Sequence, residues 1–152
     1  MINNIILIEG ANYDNFYPFS VLHSLWEIRV GALRVFEKYQ CFFENSALTF
    51  VGRENHLASF LKRFLIENSI KQTGNALFID TTFVPFYDTL SKIESVINAH
   101  LNQSISFKYN SKVVALYSPD SALIIEDFEK VNTDLAIEIE EDMAVQLNYI
   151  FD

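Results

Sequence analysis

The chain has 152 residues, half of them hydrophobic and 14% aromatic with only 20% charged, enough to bury roughly 70% of the unfolded surface and unlike a disordered polymer. Lys and Arg number 11 against 20 Asp and Glu, a formal charge of -9, which repels phosphate backbones and anionic bilayers and excludes an ordinary nucleic-acid or membrane-surface binder. The single cysteine, Cys41, excludes an internal disulfide or a multi-cysteine zinc site, and its apolar neighbours predict a buried, inert thiol.

The opening Met1-Ile2-Asn3-Asn4 carries no cationic leader, and the expectation is a cytoplasmic protein. Ile5 to Ile8 is an apolar run ending near Gly10, which predicts a first, central strand buried on both faces of a parallel sheet. After a loop with Asn12, Asp14 and Pro18, the residues Leu25, Ile28, Ala32, Val35 and Tyr39 fall near helical spacing, interrupted by Gly31, and predict helix one. Leu48, Phe50 and Val51 predict a strand, and Leu57, Phe60, Leu61, Phe64 and Leu65 an amphipathic helix with Lys62 and Arg63 outside its stripe. Ala76 to Ile79 predicts the next strand, and Leu90, Ile93, Ile97 and Leu101 the next helix. Ile105, Phe107 and Tyr109 alternate, as do Val114 and Leu116, across Asn110-Ser111, the signature of a β-hairpin. Ser118-Pro119-Asp120 starts a short helix to about Phe128. In the tail, Leu135, Ile137 and Ile139 alternate as a strand, and a helix is expected from about Glu140.

Strand and helix thus alternate three times, the pattern of crossovers on a parallel sheet. The expected architecture is a single α/β domain over residues 1–152, a three-layer sandwich around a mainly parallel, Rossmann-like sheet to which the hairpin is added. No hexapeptide repeat predicts a β-helix. Ile5 to Ile8 and Ala76 to Ile79 are expected in the sheet interior, and Phe42, Phe43, Phe86 and Tyr87 as exposed apolar surface suited to a second copy or a complementary subunit.

No glycine-rich phosphate loop occurs, and no Lys or Arg precedes Arg29. His23, His56 and His100 lack metal-ligand spacing. The acidic residues from Glu126 to Asp142 read as a solvated face. Asp80 directly follows an apolar strand, where its carboxylate either reaches the carboxyl edge at which α/β proteins bind ligands or caps the following loop.

The segment Asn4 to Gly10, with Asn15 to Lys38, resembles the start of the GlmU-like sugar nucleotidyltransferases. In that family a strand ending in an acid leads to a proline-led segment, an acid, an I/L-R-x-G element and E-K; here Pro18, Glu27, Arg29, Gly31, Glu37 and Lys38 keep that frame without a gap. Ala76 to Asp80 with Phe83-Val-Pro85 is similar to the family's strand-plus-aspartate before a proline. Where the family has Thr-Arg-Pro this chain reads Leu22-His23-Ser24, a histidine in place of a cation. Relatives continue into a further nucleotidyltransferase portion and a left-handed β-helix acyltransferase domain.

The resemblance implies a nucleotide-diphospho-sugar transferase type of fold and transfer of a nucleotidyl group from a nucleoside triphosphate to a sugar 1-phosphate, as used in building cell-envelope polysaccharide. It implies Mg²⁺ on Asp80, Arg29 and then Lys38 as the phosphate cations, and nucleotide contacts at Glu9, Gly10, His23 and Gly31. The triphosphate is expected between the loop Gly10 to Phe19 and the start of helix one, with Arg29 and Lys38 alternatively plain helix-surface charges. The competing expectation is a non-catalytic module of this fold that binds a partner protein or a nucleotide sugar.

Overall fold

The computed structural model describes residues 1–68, 74–120 and 131–148. The first apolar run forms β1, Asn4–Ile8, and lacks alternation because both its faces are covered. Ile5 and Leu7 enter the main core, while Ile6 joins Ala76, Phe78 and Leu116 on the other face. Three 3-10 turns follow, at Ala11–Phe16, Phe19–Val21 and Leu25–Glu27.

Here the helix expected from Leu25 to Tyr39 is corrected. Arg29–Val30 (β2) and Leu33–Arg34 (β3) form a small antiparallel hairpin, and only Val35–Phe42 is helical (α1). Gly31 turns the hairpin at φ +73°, a conformation that costs glycine little, and Val35 N–H then bonds the Ile28 carbonyl across it at 2.9 Å. On α1, Phe36 and Tyr39 face inward while Cys41 is exposed, so the expected buried thiol is also corrected: Cys41 is two residues beyond Tyr39, about 200° round the helix.

β4 is Ala47–Val51 and α2 is Glu54–Phe64. Leu65, expected on the apolar stripe, is instead the left-handed cap at φ 54° and is 91% exposed. Next come β5 (Ala76–Asp80), β6 (Phe83–Pro85), α3 (Tyr87–Ala99), β7 (Ile105–Tyr109) and β8 (Lys112–Ser118). Asn110 and Ser111 both take positive φ, the twist that a tight hairpin between β7 and β8 requires. The helix expected up to Phe128 lies outside the described residues.

β9 is Leu135–Ile139, as the alternation predicted. The helix expected from Glu140 is not formed: a 3-10 turn at Glu141–Met143 leads into β10, Ala144–Gln146, antiparallel to β6. The Tyr109 hydroxyl lies 3.0 Å from the Glu141 carbonyl and 2.9 Å from that of Ala144, and the Phe83–Pro85 edge offers pairing that outweighs the helical pattern.

The six-stranded sheet runs β4-β1-β5-β8-β7-β9. β1 pairs in parallel with β4 and β5, and β7 with β9, while β8 is antiparallel to both its neighbours. Both expected interior strands, β1 and β5, are interior. Residues of α1, α2 and α3 share one core with Ile5, Leu7, Leu77 and Tyr117. Its densest part is a ring cluster in which Phe36, Phe60 and Trp26 all meet Phe50. Of the expected apolar patch, Phe86 and Tyr87 are exposed, whereas Phe43 is buried.

Candidate functional site

Parallel strands that end together bring the residues just beyond them to one edge. β1, β4 and β5 end at Ile8, Val51 and Asp80, with Ile8 opposite both Val51 and Asp80. Beyond them lie Glu9 and Arg53, and the antiparallel β8 starts at Lys112 beside the end of β5. Two carboxylate–cation pairs therefore stand at this edge.

The first is closed. Arg53 Nη2 donates to Glu9 Oε1 at 2.8 Å and Nε to Oε2 at 2.9 Å, and Leu25 N–H adds a bond to Oε1 at 2.9 Å. The Glu9 side chain has no exposed surface. Hydrogen bonding to Glu9, ahead of the opposing effect of burial, holds the Arg53 guanidinium above its ordinary range. Arg53 also bonds the carbonyls of Ser20 and His23, pinning the loop after β1. Gly52 makes the approach possible: a Cβ there would meet Glu9 Cβ and Trp26 Cη2, each at 2.9 Å.

The second pair is open. Asp80 Oδ1 accepts from Thr82 N–H at 2.9 Å and from its hydroxyl at 2.7 Å, so the loop-capping role is real. Among the described residues Oδ2 faces only the Lys112 ammonium at 3.3 Å, on a side chain 40% exposed. Gln146 bonds the Thr82 hydroxyl from β10, and Thr81 ties the strand end to the Ile8 carbonyl. Beneath the edge, Tyr39 O–H donates to the Phe83 carbonyl at 2.8 Å; burial, and secondly the Asp80 charge, hold its phenol well above the ordinary range.

The remaining expected residues are dispersed. Gly10 borders open space, since a Cβ there would meet nothing within 4 Å. Gly31 and Arg29 sit on the exposed hairpin, where Arg29 bonds the Ala32 carbonyl. Arg29 and His23 line one recess with Phe19, Glu27, Arg34, Arg63 and Phe64, while Lys38 lines a separate, apolar groove with Cys41, Phe42 and Tyr87. Neither recess contains Asp80. Sequence reading missed Arg53 and Lys112, which reach their partners over 44 and 32 residues; no local spacing signals such pairs.

Among the described residues no group of three or more His, Cys, Asp or Glu could hold a metal, and no helix is long and apolar enough to cross a membrane.

The family model for sugar nucleotidyl transferases matches residues 5–152. No curated protein matches the chain in sequence. Among solved structures, CTP:phosphocholine cytidylyltransferase from Streptococcus pneumoniae is similar over 99% of this chain and 96% of its own, with TM-score 0.59 and 8% identity. A structure from Bacillus anthracis described as a glucose-1-phosphate thymidylyltransferase in complex with a sucrose is similar over 70% of this chain, with TM-score 0.50 and 10% identity. The chain spans 54% of that second protein. At such identities the likeness is one of fold.

Proposed function

The chain belongs to the sugar nucleotidyl transferase family, and from that premise we propose that it transfers a nucleotidyl group from a nucleoside triphosphate to a sugar 1-phosphate at the carboxyl edge of β1 and β5. The observation that carries this reading is the open pair Asp80–Lys112, a carboxylate and a cation side by side at the place where α/β sheets take their ligands.

Mg²⁺ fits this donor set, because it is commonly held by one or two carboxylates together with substrate phosphates. Asp80 Oδ2 supplies the carboxylate oxygen, and Oδ1 stays with Thr82 to fix its direction. When bound, the ion offsets negative charge on the phosphates and favours attack at the α-phosphorus. Lys112, released from Asp80, places its ammonium beside the same phosphates, where charge develops as a sugar-phosphate oxygen attacks and the bond to pyrophosphate breaks. Glu9 and Arg53 do not enter the chemistry. Their closed pair holds the loop after β1 so that the open space over Gly10 can admit the nucleotide.

The closed Glu9–Arg53 pair, and the lack of any cation between Gly10 and Phe19, favour a second reading: a module of the same fold that binds a nucleotide sugar without turnover. Titration calorimetry with each nucleoside triphosphate and Mg²⁺, beside a pyrophosphate-release assay with sugar 1-phosphates, separates the two. Metal-dependent binding and release, both lost in Asp80→Asn, support the transferase; binding of nucleotide sugars with no release in any combination supports the module.

A further inference from the structure

Three of the four arginines in this chain of net charge -9, Arg29, Arg34 and Arg63, line a single recess of ≈ 300 Å³. That volume is at the small end of the range that ligand pockets occupy. We infer that this recess is a phosphate-binding site in its own right, distinct from the Asp80 edge and independent of metal.

The argument begins with Glu27, whose side chain is 4% exposed. It accepts from Ser24 N–H at 2.9 Å, lies 2.9 Å from Arg63 Nη2, and sits 3.3 Å from His23 Nδ1. It is the organiser of the recess rather than its ligand face. Arg34 is held by its bond to Glu37 Oε1 at 2.7 Å and lies over the Phe64 ring at 5.1 Å from its centre; Arg63 lies over the same ring at 5.8 Å. His23 is stacked on Phe19 at 4.8 Å. Each guanidinium is thus oriented before any ligand arrives, and a fixed planar fork loses little freedom in a bidentate bond to phosphate.

Charge supports the same conclusion. The three guanidinium groups outnumber the carboxylates of Glu27 and Glu37, leaving a local positive excess in a strongly acidic chain. An excess of that sign serves no need of solubility here, since the acidic surface already supplies net charge. The recess adjoins the closed pair through His23, whose carbonyl takes a bond from Arg53 while its ring meets Arg63 at 3.2 Å, but neither Asp80 nor Lys112 lines it.

The chemistry recognised is a phosphate group, which inorganic phosphate, pyrophosphate or a phosphorylated sugar could each bring. Metal-free titrations at low ionic strength with inorganic phosphate, pyrophosphate and glucose 1-phosphate identify which. For the probe that binds, Arg29→Gln and Arg34→Gln are each expected to weaken binding at least about tenfold, the scale of a lost charge-assisted hydrogen bond. Lys108→Gln, which removes the same charge from β7, and Lys112→Gln, at the Asp80 edge, should leave it within about twofold. Saturable binding by none of the three probes overturns the inference, as does equal weakening by Lys112→Gln or no effect of either arginine change. Arg29 is exposed and bonds one loop carbonyl, so its variant retains the fold, and buried Trp26 reports this by fluorescence. Failure here leaves the Asp80 proposal standing, because that site requires Mg²⁺ and this one does not.

Discussion

Arg53 and Glu9 meet through two parallel hydrogen bonds, 2.8 and 2.9 Å long, with the carboxylate sealed from solvent. Breaking such a pair from one side strands a buried charge, which costs about 3–5 kcal/mol. Arg53→Met should lower unfolding free energy by that amount in urea melts. Adding Glu9→Gln should return part of the loss, and a double variant as unstable as the single one would refute the ion-pair account.

Gly52→Ala tests the close approach beneath that pair. Its Cβ would collide with Glu9 Cβ and Trp26 Cη2, and overpacking of this kind costs about 1–3 kcal/mol. Thermal melts should show the loss, and the Trp26 emission should shift as the indole is displaced.

Acid should act partly through Glu37. Its hydrogen bond from the Arg34 backbone, with burial opposing, holds its carboxyl below the ordinary range. A lowered folded-state pKa means stability that is complete above the unfolded value, about 4.3, and is lost as pH falls through the folded one. Melting temperature should therefore drop between about pH 5 and 3, and Glu37→Gln should reduce that slope. The effect is small because the pair is partly exposed; an unchanged slope would count against it.

Cys41 should react with a maleimide in the native protein without denaturant, as expected of an exposed thiol. Protection until unfolding would contradict the placement of α1.

What was legible in the sequence follows from range. β1 and β5 were visible because two-sided burial writes an unbroken apolar run, and the β7–β8 hairpin because Asn110-Ser111 sits between two alternating stretches. The hairpin at Gly31 was hidden: Leu25, Ile28, Ala32 and Val35 keep helical spacing, and one glycine decides against it. β10 was hidden for a different reason, since Ala144–Gln146 takes its conformation from β6, some 60 residues earlier. Asp80 stands out in the sequence because it directly follows its strand. Lys112 does not, because its approach depends on an antiparallel strand inserted beside β5. Arg29 and His23 stand out singly, but their gathering with Arg34 and Arg63 depends on the end of α2, where Arg63 and Phe64 line the same recess.

The order of strands also bears on how the chain is made. β1 is synthesised before any other strand of the sheet, yet it lies between β4 and β5. Its hydrogen-bonding groups stay unmatched on one side until Val51 has left the ribosome and on the other until Asp80 has, an interval of several seconds at about 5–20 residues per second. An apolar strand with open edges is a template for association with other chains. Pairing with β5 removes that hazard from β1 and hands the open edge to β5, equally apolar, until β8 has emerged to cover it.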